Sequence, residues 1–256
     1  MNLKFYKYQA TGNDFILIDD RDQRFNLEDS KYIQSLCKRR YGIGADGLIL
    51  LRSHNKLDFE MIFFNSTGER STFCGNGARC IIAFAKYLDI IIEETSFIAY
   101  DGTHKGSISK DNVSLNMSDV NDINIQEDCI ILDTGSPHLV KIVNGIQDFD
   151  VLRYGREIRY DKQFRDYGIN VNFVELNNGK IFSRTYERGD EMESLSCGTG
   201  SVATAISLHK IKMIDTNDIV IHTTGGKLYV SFDIIDQSYT NIWLTGEASM
   251  TYSGNL

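Results

Sequence analysis

The sequence predicts an α+β protein made of two similar domains, because short motifs of its first half recur in the second half in the same order. Two of the three matches share an offset of 123 residues (134 − 11 and 197 − 74), and the third has an offset of 126 (167 − 41). Offsets near half of the 256-residue chain indicate a duplicated unit rather than chance similarity of glycine-rich turns. The matched motifs are Thr11-Gly12-Asn13 with Thr134-Gly135-Ser136, Tyr41-Gly42-Ile43 with Tyr167-Gly168-Ile169, and Cys74-Gly75-Asn76-Gly77-Ala78 with Cys197-Gly198-Thr199-Gly200-Ser201.

Hydrophobic periodicity predicts the same order of elements in both halves: strands, then a helix that follows a Cys-Gly-x-Gly turn, then further strands. In the first half, Asn26 is predicted to cap the helix at Asp29–Arg39, and the second helix follows Gly77 at Ala78–Leu88. The predicted strands of this half are Leu3–Gln9, Phe15–Asp19, Asp46–Arg52, Asp58–Phe64, Ser96–Tyr100, Lys105–Ser109 and Asn112–Met117.

In the second half, the strands Asn170–Leu176 and Lys180–Tyr186 are predicted to form a hairpin around Asn177-Asn178-Gly179. Helical segments are predicted at Phe149–Glu157 and, after Gly200, at Ser201–Ile211. The other predicted strands are Cys129–Asp133, His138–Val143, Asp218–His222, Lys227–Asp233 and Tyr239–Leu244. We therefore expect two domains, 1–117 and 118–245, facing one another across a cleft, which is the usual position of a binding site.

The charge balance and the cysteine pattern exclude several classes of protein. With 27 Lys and Arg against 35 Asp and Glu, the net charge is −8, so we expect neither a nucleic-acid partner nor a membrane-surface helix. No apolar run approaches the roughly 20 residues of a membrane span, and we expect no targeting segment. Five widely spaced cysteines without a Cys-x-x-Cys pair favour free thiols in a reducing cytoplasm.

Cys74 and Cys197 each stand where a glycine-rich turn opens a predicted helix. The first turn of a helix has N–H groups without partners and a partial positive charge, which lower the pKa of a thiol and bind a carboxylate. A buried structural cysteine is the alternative interpretation of either site alone. The repetition of Cys beside Gly-x-Gly favours chemistry at both, whereas Cys37, Cys80 and Cys129 are interpreted as structural.

Two equivalent thiols on opposite sides of one carbon suit the inversion of a centre that bears a hydrogen. One thiolate removes the proton from one face, the other thiol delivers a proton to the opposite face, and helix N-termini stabilise the carboxylate-linked carbanion. The five histidines lack metal-ligand spacing, and a Cys-His hydrolase leaves the second cysteine unexplained. The Tyr41-Gly42-Ile43-Gly44 stretch is an incomplete dinucleotide fingerprint and is interpreted as a turn.

These motifs resemble the diaminopimelate epimerase family, whose members interconvert LL- and meso-diaminopimelate without a cofactor. The resemblance implies two pseudo-symmetric domains, each a mixed, mostly antiparallel sheet wrapped around a central helix, with the strand at 246–256 completing the first domain. The resemblance covers essentially the whole chain, from Gly12-Asn13-Asp14-Phe15 to Tyr252-Ser253-Gly254. The other stretches that carry it are Gly42-Ile43-Gly44-Ala45-Asp46-Gly47, Cys74-Gly75-Asn76-Gly77-Ala78-Arg79-Cys80, Pro137-His138, Glu187-Arg188-Gly189 and Ser196-Cys197-Gly198-Thr199-Gly200.

The resemblance also implies the roles of individual residues. Cys74 and Cys197 become the acid/base pair, and His138 and Glu187 tune the two thiols. Backbone amides of Gly75, Asn76, Gly198 and Thr199 hold the reacting carboxylate, while Asn13, Asn65, Asn170, Glu187 and Arg188 meet the far end of the substrate. A homodimer with Tyr252 at its interface is implied, together with a role in lysine and peptidoglycan precursor synthesis and no need for pyridoxal phosphate or metal.

Three departures from the family pattern concern the distal pocket more than the thiols. Ser136 replaces an asparagine before Pro-His, Gly47 replaces a glutamine, and the Gly-x-Gly-Glu-Thr pattern is replaced by the longer stretch Gly189–Ser196. A related racemase that acts on proline or another amino acid is therefore an alternative. A non-enzymatic amino-acid-binding protein is the alternative of another class, and it would not exchange the α-proton with deuterated water.

Overall fold

The computed structural model describes residues 3–71 and 73–256, which form seventeen strands and four α-helices. The chain divides into two compact units. Unit 1 contains the chain up to Leu115 together with Gly246–Leu256, and unit 2 contains Asn116–Thr245. None of the helices within the described ranges is long and apolar enough to cross a membrane.

Unit 1 is a mixed, mostly antiparallel sheet with two helices. Its strands pair in the order β17–β1–β2–β3–β4–β5–β6–β7; among these pairings of described residues, β2–β3 and β4–β5 are parallel and the others antiparallel. The strands are β1 (Lys4–Ala10), β2 (Asn13–Asp19), β3 (Gly47–Arg52), β4 (Phe59–Asn65), β5 (Glu94–Ala99), β6 (Gly102–Ser109), β7 (Asn112–Met117) and β17 (Ser249–Asn255). The helices are α1 (Ser30–Cys37) and α2 (Gly75–Tyr87).

Unit 2 repeats this plan. Its strands pair in the order β8–β9–β10–β11–β12–β14–β15, and β13 adds to β12. Among these pairings of described residues, β10–β11 and β12–β14 are parallel and the others antiparallel. The strands are β8 (Ile123–Ile125), β9 (Ile130–Asp133), β10 (Pro137–Ile142), β11 (Asn170–Asn177), β12 (Lys180–Glu187), β13 (Met192–Ser194), β14 (Asp218–Thr223), β15 (Gly226–Ile235) and β16 (Ser238–Glu247). The helices are α3 (Val151–Arg159) and α4 (Gly198–Lys210), preceded by a short 3₁₀ helix at Ile146–Asp148.

The predicted duplication is confirmed by the order of pairings. Antiparallel β1–β2, parallel β2–β3, antiparallel β3–β4 and parallel β4–β5 correspond to β9–β10, β10–β11, β11–β12 and β12–β14. The helices α2 and α4 both span 13 residues and lie at the corresponding place in each unit. Each helix is the apolar centre of its unit, with buried residues Ile81, Ile82, Phe84 and Ala85 in α2 and Ala203, Ala205, Ile206 and Leu208 in α4.

Several predicted boundaries were wrong for local reasons. Asp29, not Asn26, caps α1 by accepting from the N–H of Tyr32 at 3.0 Å, whereas Asn26 accepts from the N–H of Glu28 in the preceding turn. The helices α2 and α4 begin three residues earlier than predicted, since their glycines already adopt helical backbone. The two-residue turn at Asn178 and Gly179 has φ of 50° and 72°, as a tight hairpin requires. The short strands β8 and β13 were not predicted.

Candidate active site

Cys74 is the N-cap residue of α2. Its backbone is extended, with φ −132° and ψ 115°, and its carbonyl oxygen accepts from the N–H of Ala78 at 2.8 Å. The side chain makes no capping hydrogen bond. The thiol donates instead to Asn13 Oδ1 at 3.8 Å. A predicted substrate-binding residue therefore contacts a predicted catalytic thiol.

The carboxamide of Asn13 is oriented from both ends. Its Nδ2 donates to Asp46 Oδ2 at 2.6 Å, and its Oδ1 accepts from Asn76 Nδ2 at 3.2 Å. Asp46 also accepts from Arg39 Nη2 at 2.7 Å. These bonds connect Cys74, Asn13 and Asn76 into one polar group whose orientation is set by a carboxylate.

Asp14, the residue after Asn13, strengthens this support. Burial alone would raise the pKa of its carboxyl, but hydrogen bonds from Arg39 and Lys7 outweigh burial and lower it to about 2. Asp14 is therefore ionised at physiological pH. Arg39 bridges it to Asp46 and so holds the backbone around Asn13 in one arrangement.

Cys197 occupies the equivalent position in unit 2. It is the N-cap residue of α4, with φ −120° and ψ 116°, and its carbonyl oxygen accepts from the N–H of Ser201 at 2.9 Å. The two Cys-Gly-x-Gly turns thus present their sulfur atoms from the same backbone conformation.

The surroundings of Cys197 favour the protonated thiol. Burial raises its pKa well above the ordinary value, and the negative charge of Glu187 raises it further. The hydroxyl of Thr199, with Oγ1 3.5 Å from Sγ, and the backbone N–H of Gly200 both act in the opposite direction and lower the pKa. Glu187 was predicted to tune a thiol, and the structure places it beside Cys197.

His138 reaches Cys197 through Thr199. Its Nε2 lies 2.8 Å from Thr199 Oγ1, and its Nδ1 lies 2.9 Å from Asn172 Nδ2. Burial, with a smaller contribution from the charge of Arg188, lowers the pKa of His138 to about 3, so the ring is neutral at physiological pH. Since the Asn172 amide is a donor, we assign the proton to Nε2, which donates to Thr199 and leaves the threonine hydroxyl to donate to the sulfur.

The distal residues of unit 2 form a second polar group. Asn170, which is 5% exposed, accepts from the N–H of Arg188 at 3.0 Å and donates through Nδ2 to Ser136 Oγ at 2.9 Å. The exposed Arg188 side chain donates through Nη1 to the carbonyl oxygen of Tyr167 at 3.0 Å. Asn170 therefore positions the arginine, and Ser136 serves as the partner of that asparagine.

Two predicted site residues take no part in the hydrogen bonds described above. Asn65, at the end of β4, accepts through Oδ1 from the N–H groups of Thr67 and Glu69, both at 3.0 Å, and thereby orders the following turn. Tyr252 lies on β17 with 47% of its surface exposed and packs edge-on against Phe5 at a ring-centroid distance of 6.0 Å. Gly75 and Gly198 are the first residues of α2 and α4.

The two remaining departures from the family pattern also have local explanations. A Cβ at Gly47 would lie 2.5 Å from the carbonyl oxygen of Phe64 and 2.6 Å from Phe63 Cε2, so these neighbours occupy the space of a side chain. The stretch Gly189–Ser196 contains β13, which Arg184 ties to β12 through two hydrogen bonds to Glu193, at 2.6 and 2.8 Å.

A family model described as diaminopimelate epimerase matches residues 5–120 and 130–251. The chain belongs to the diaminopimelate epimerase family. It is 49% identical to the diaminopimelate epimerase of Flavobacterium psychrophilum over 98% of both chains. It is 37% identical to that of Chlorobaculum tepidum, over 96% of this chain and 98% of the relative, and 31% identical to that of Aquifex aeolicus, over 99% and 98%.

Solved structures show that the fold extends beyond the diaminopimelate epimerases. A phenazine biosynthesis protein of the PhzF family from Bacillus anthracis matches with a TM-score of 0.76 and 12% identity, over 100% of this chain and 99% of that one. A hydroxyproline epimerase from Agrobacterium vitis matches with a TM-score of 0.72 and 14% identity, over 100% and 92%. At such identities the likeness shows the fold alone.

For this member of the diaminopimelate epimerase family, the sequence reasoning missed three buried polar residues. Two of them support His138: Asn172 donates to its Nδ1, and Thr185 Oγ1 donates to Asn172 Oδ1 at 2.8 Å. Arg79, on α2, is completely buried. Its signal was visible in the sequence, because it is an arginine among the apolar residues that follow Cys74. Within the described part of the chain, no three His, Cys, Asp or Glu side chains are arranged to hold a metal ion.

Proposed function

We propose that this protein interconverts LL- and meso-diaminopimelate by proton transfer between Cα and the thiols of Cys74 and Cys197. The observation that carries the proposal is the pair of cysteines at matching N-caps, in a chain 49% identical to a diaminopimelate epimerase over almost its full length. A binding protein has no use for two such thiols, and a single-nucleophile enzyme uses only one.

In the proposed reaction, one sulfur is a thiolate and the other a thiol. The thiolate removes the Cα proton, and the electron pair of the broken C–H bond is delocalised into the adjacent carboxylate. The thiol then donates its proton to the opposite face of Cα, so the two sulfurs exchange protonation states and the centre is inverted. The first-turn N–H groups of Gly75, Asn76, Gly198 and Thr199 are proposed to hold the carboxylate, because helix N-termini carry partial positive charge.

The far end of diaminopimelate carries a second carboxylate and a second ammonium group. We assign the carboxylate to Arg188, whose guanidinium is suited to a bidentate pair, and the ammonium to Glu187. Asn170 supports this assignment, since it holds the backbone N–H of Arg188. Asn13 and Asn65 complete the proposed distal contacts from unit 1.

The decisive experiment compares amino acids in deuterated water. Diaminopimelate, L-proline and trans-4-hydroxy-L-proline are each incubated with the enzyme, and Cα deuteration is followed by NMR. We expect exchange with diaminopimelate alone, and we expect Arg188→Ala to reduce its kcat/KM by roughly 10- to 150-fold, from a charged hydrogen bond of about 1.5–3 kcal/mol. Exchange with proline and none with diaminopimelate would assign the protein to another racemase activity.

A cytoplasmic homodimer is part of the proposal. The half-exposed ring of Tyr252 on β17 is the proposed contact between the two copies. Sedimentation at micromolar concentration tests it: the wild type is expected to be a dimer and Tyr252→Glu a weaker one. A monomeric wild type would remove the dimer from the account without affecting the chemistry.

A further inference from the structure

Arg79 is a cation in an unusual environment. The whole side chain is buried, with 0% exposure, and its Nη2 donates to two neutral oxygen atoms, Thr11 Oγ1 at 3.0 Å and Asn76 Oδ1 at 2.9 Å. Its Nε and Nη1 have no hydrogen-bond partner among the described residues. Within the described ranges, no Asp or Glu oxygen forms an ion pair with it. Burial lowers the pKa of Arg79 to about 10, so the guanidinium is still charged at physiological pH.

A buried charge without a counter-ion is costly, and the fold itself does not require this one. Replacement of buried ionic groups by apolar residues of similar volume is often neutral or stabilising. The duplicated helix α4 carries Val202 at the equivalent position (79 + 123), fully buried at 0% exposure. The same architecture is thus built in unit 2 with an apolar residue, and the arginine in unit 1 calls for another explanation.

The acidic groups close enough to act on the charge of Arg79 are two thiols, Cys80 and Cys74. Complete burial raises the pKa of Cys80, which therefore stays a neutral thiol. Cys74 is half-buried and is joined to Arg79 by a short polar series. Arg79 donates to Asn76, and Asn76 donates to Asn13 Oδ1 at 3.2 Å. That oxygen also accepts from the Cys74 thiol over 3.8 Å, a long bond that favours the protonated form, so the charge of Arg79 acts on the sulfur through space and has to outweigh it.

In unit 2, the charged group that acts on Cys197 is negative, opposite in sign to Arg79. Glu187, a carboxylate, acts on Cys197, and the nearby imidazole of His138 is neutral. The two cysteines share a backbone conformation but have different charged neighbours. Arg79 acts on Cys74, with the Asp46 carboxylate one hydrogen bond beyond Asn13, whereas Glu187 acts on Cys197, with the charge of Arg188 reaching the neighbouring His138. This asymmetry assigns different resting states to two otherwise equivalent positions.

We propose that Arg79 is a positioning residue whose buried charge holds Cys74 as the thiolate while Cys197 rests as the thiol. The resting enzyme is then ready to remove a proton with Cys74 and deliver one with Cys197. The reverse direction starts from the less populated state, in which Cys74 is the thiol and Cys197 the thiolate. The proposal rests on the two-thiol chemistry proposed above, but its physical content concerns the free enzyme and needs no turnover.

The test is the pH dependence of alkylation at each thiol. The free enzyme is treated briefly with iodoacetamide at a series of pH values, and the Cys74 and Cys197 peptides of the same sample are quantified by mass spectrometry. In the wild type, we expect the midpoint for Cys74 to lie below that of an ordinary thiol and below that of Cys197. A midpoint for Cys74 at or above that of Cys197 would overturn the proposal without any variant.

Substitutions then separate charge from packing. Arg79→Met is expected to raise the Cys74 midpoint by about one pH unit or more, as the loss of a nearby opposite charge does, while Cys197 serves as the internal control and stays unchanged. Arg79→Gln keeps a donor toward Thr11 and Asn76 and is expected to shift the midpoint equally, whereas Arg79→Lys restores it. A purely structural role predicts a lower melting temperature with an unchanged Cys74 midpoint, and that result would refute the assignment.

The same shift has a kinetic signature. Because the thiolate fraction falls tenfold per pH unit only below the midpoint, Arg79→Met is expected to lose up to about tenfold activity per unit of midpoint shift at pH values below the wild-type midpoint, and to recover it as the pH rises. If the alkylation midpoints behave as expected and activity toward diaminopimelate is absent in the wild type, the charge assignment stands and the proposed function fails. The two failures are therefore distinguishable.

Discussion

Replacing Thr199 by Val removes one hydroxyl from the hydrogen-bonded series that ends at Cys197. The hydroxyl has two functions: it accepts from His138 Nε2 at 2.8 Å and it donates to Cys197 Sγ at 3.5 Å. Valine has nearly the same shape, so the substitution tests the hydroxyl and not the packing. Thr199→Ser, which keeps the hydroxyl, is the matched control.

The loss of each hydrogen bond of the Thr199 hydroxyl has a free-energy cost of predictable size. The buried Nε2–H of His138 is left without its acceptor, which costs about 1–3 kcal/mol, or roughly 2–12 °C in melting temperature for a chain of this size. Cys197 becomes negatively charged as it gives up its proton, and a lost hydrogen bond to a charged group is worth about 1.5–3 kcal/mol. The value of kcat is therefore expected to fall roughly 10- to 150-fold.

The assay combines thermal unfolding with steady-state epimerisation of diaminopimelate. Thr199→Val is expected to lose both stability and kcat, with the Cys197 alkylation midpoint moving to higher pH, because the hydroxyl favours the thiolate. Thr199→Ser is expected to retain most of each quantity. Equal impairment in the two variants, or a wild-type value of kcat in Thr199→Val, would refute the assigned direction of the hydrogen bonds.

Three further predictions follow from the geometry. The pKa of His138 is about 3 in the folded chain against 6.5 for an ordinary histidine, so unfolding takes up a proton at pH values between these two. The free energy of unfolding is therefore expected to fall as the pH decreases below about 6.5, by up to about 1.4 kcal/mol per pH unit. His138→Gln is expected to flatten this dependence in urea unfolding measured from about pH 4.5 to 6.5. Gly200→Ala is expected to reduce kcat more than Gly77→Ala. A Cβ at Gly200 would lie 2.4 Å from Asn172 Oδ1, whereas a Cβ at Gly77 would lie 2.9 Å from the flexible end of the Ile49 side chain. Equal kcat values in the two variants would contradict this. Cys74→Ala is expected to abolish epimerisation and Cys80→Ala to spare the chemistry while lowering the melting temperature, and turnover by Cys74→Ala would end the two-base mechanism.

The architecture was readable from the sequence because the duplication and the apolar periodicity are both local signals. The N-cap cysteines were found for the same reason, since each stands beside its own Gly-x-Gly turn. The errors are also local. The three residues before each predicted helix start are glycine-rich and read as a turn, although tertiary packing draws them into the first helical turn.

The polar support of the site could not be predicted, because its partners are far apart in the chain. Thr185 donates to Asn172, Asn172 to His138, and His138 to Thr199, and these contacts depend on neighbouring strands and a helix in unit 2. Sequence spacing carries no such information. The charge of Arg79 was visible in its motif, but its burial and its lack of a carboxylate partner in the described part of the chain appear only in three dimensions.

Isotope transfer in a single direction shows whether two different groups act on the two faces of one carbon. LL-diaminopimelate is converted in deuterated water, the reaction is stopped at low conversion, and both epimers are examined by mass spectrometry. We expect the meso product to carry one solvent deuteron at the inverted centre while the unreacted substrate keeps its protium, because the base that removes the proton is not the acid that replaces it. A product that retains protium at that centre, or unreacted substrate deuterated as fast as product forms, would show that one group serves both faces and would contradict the account.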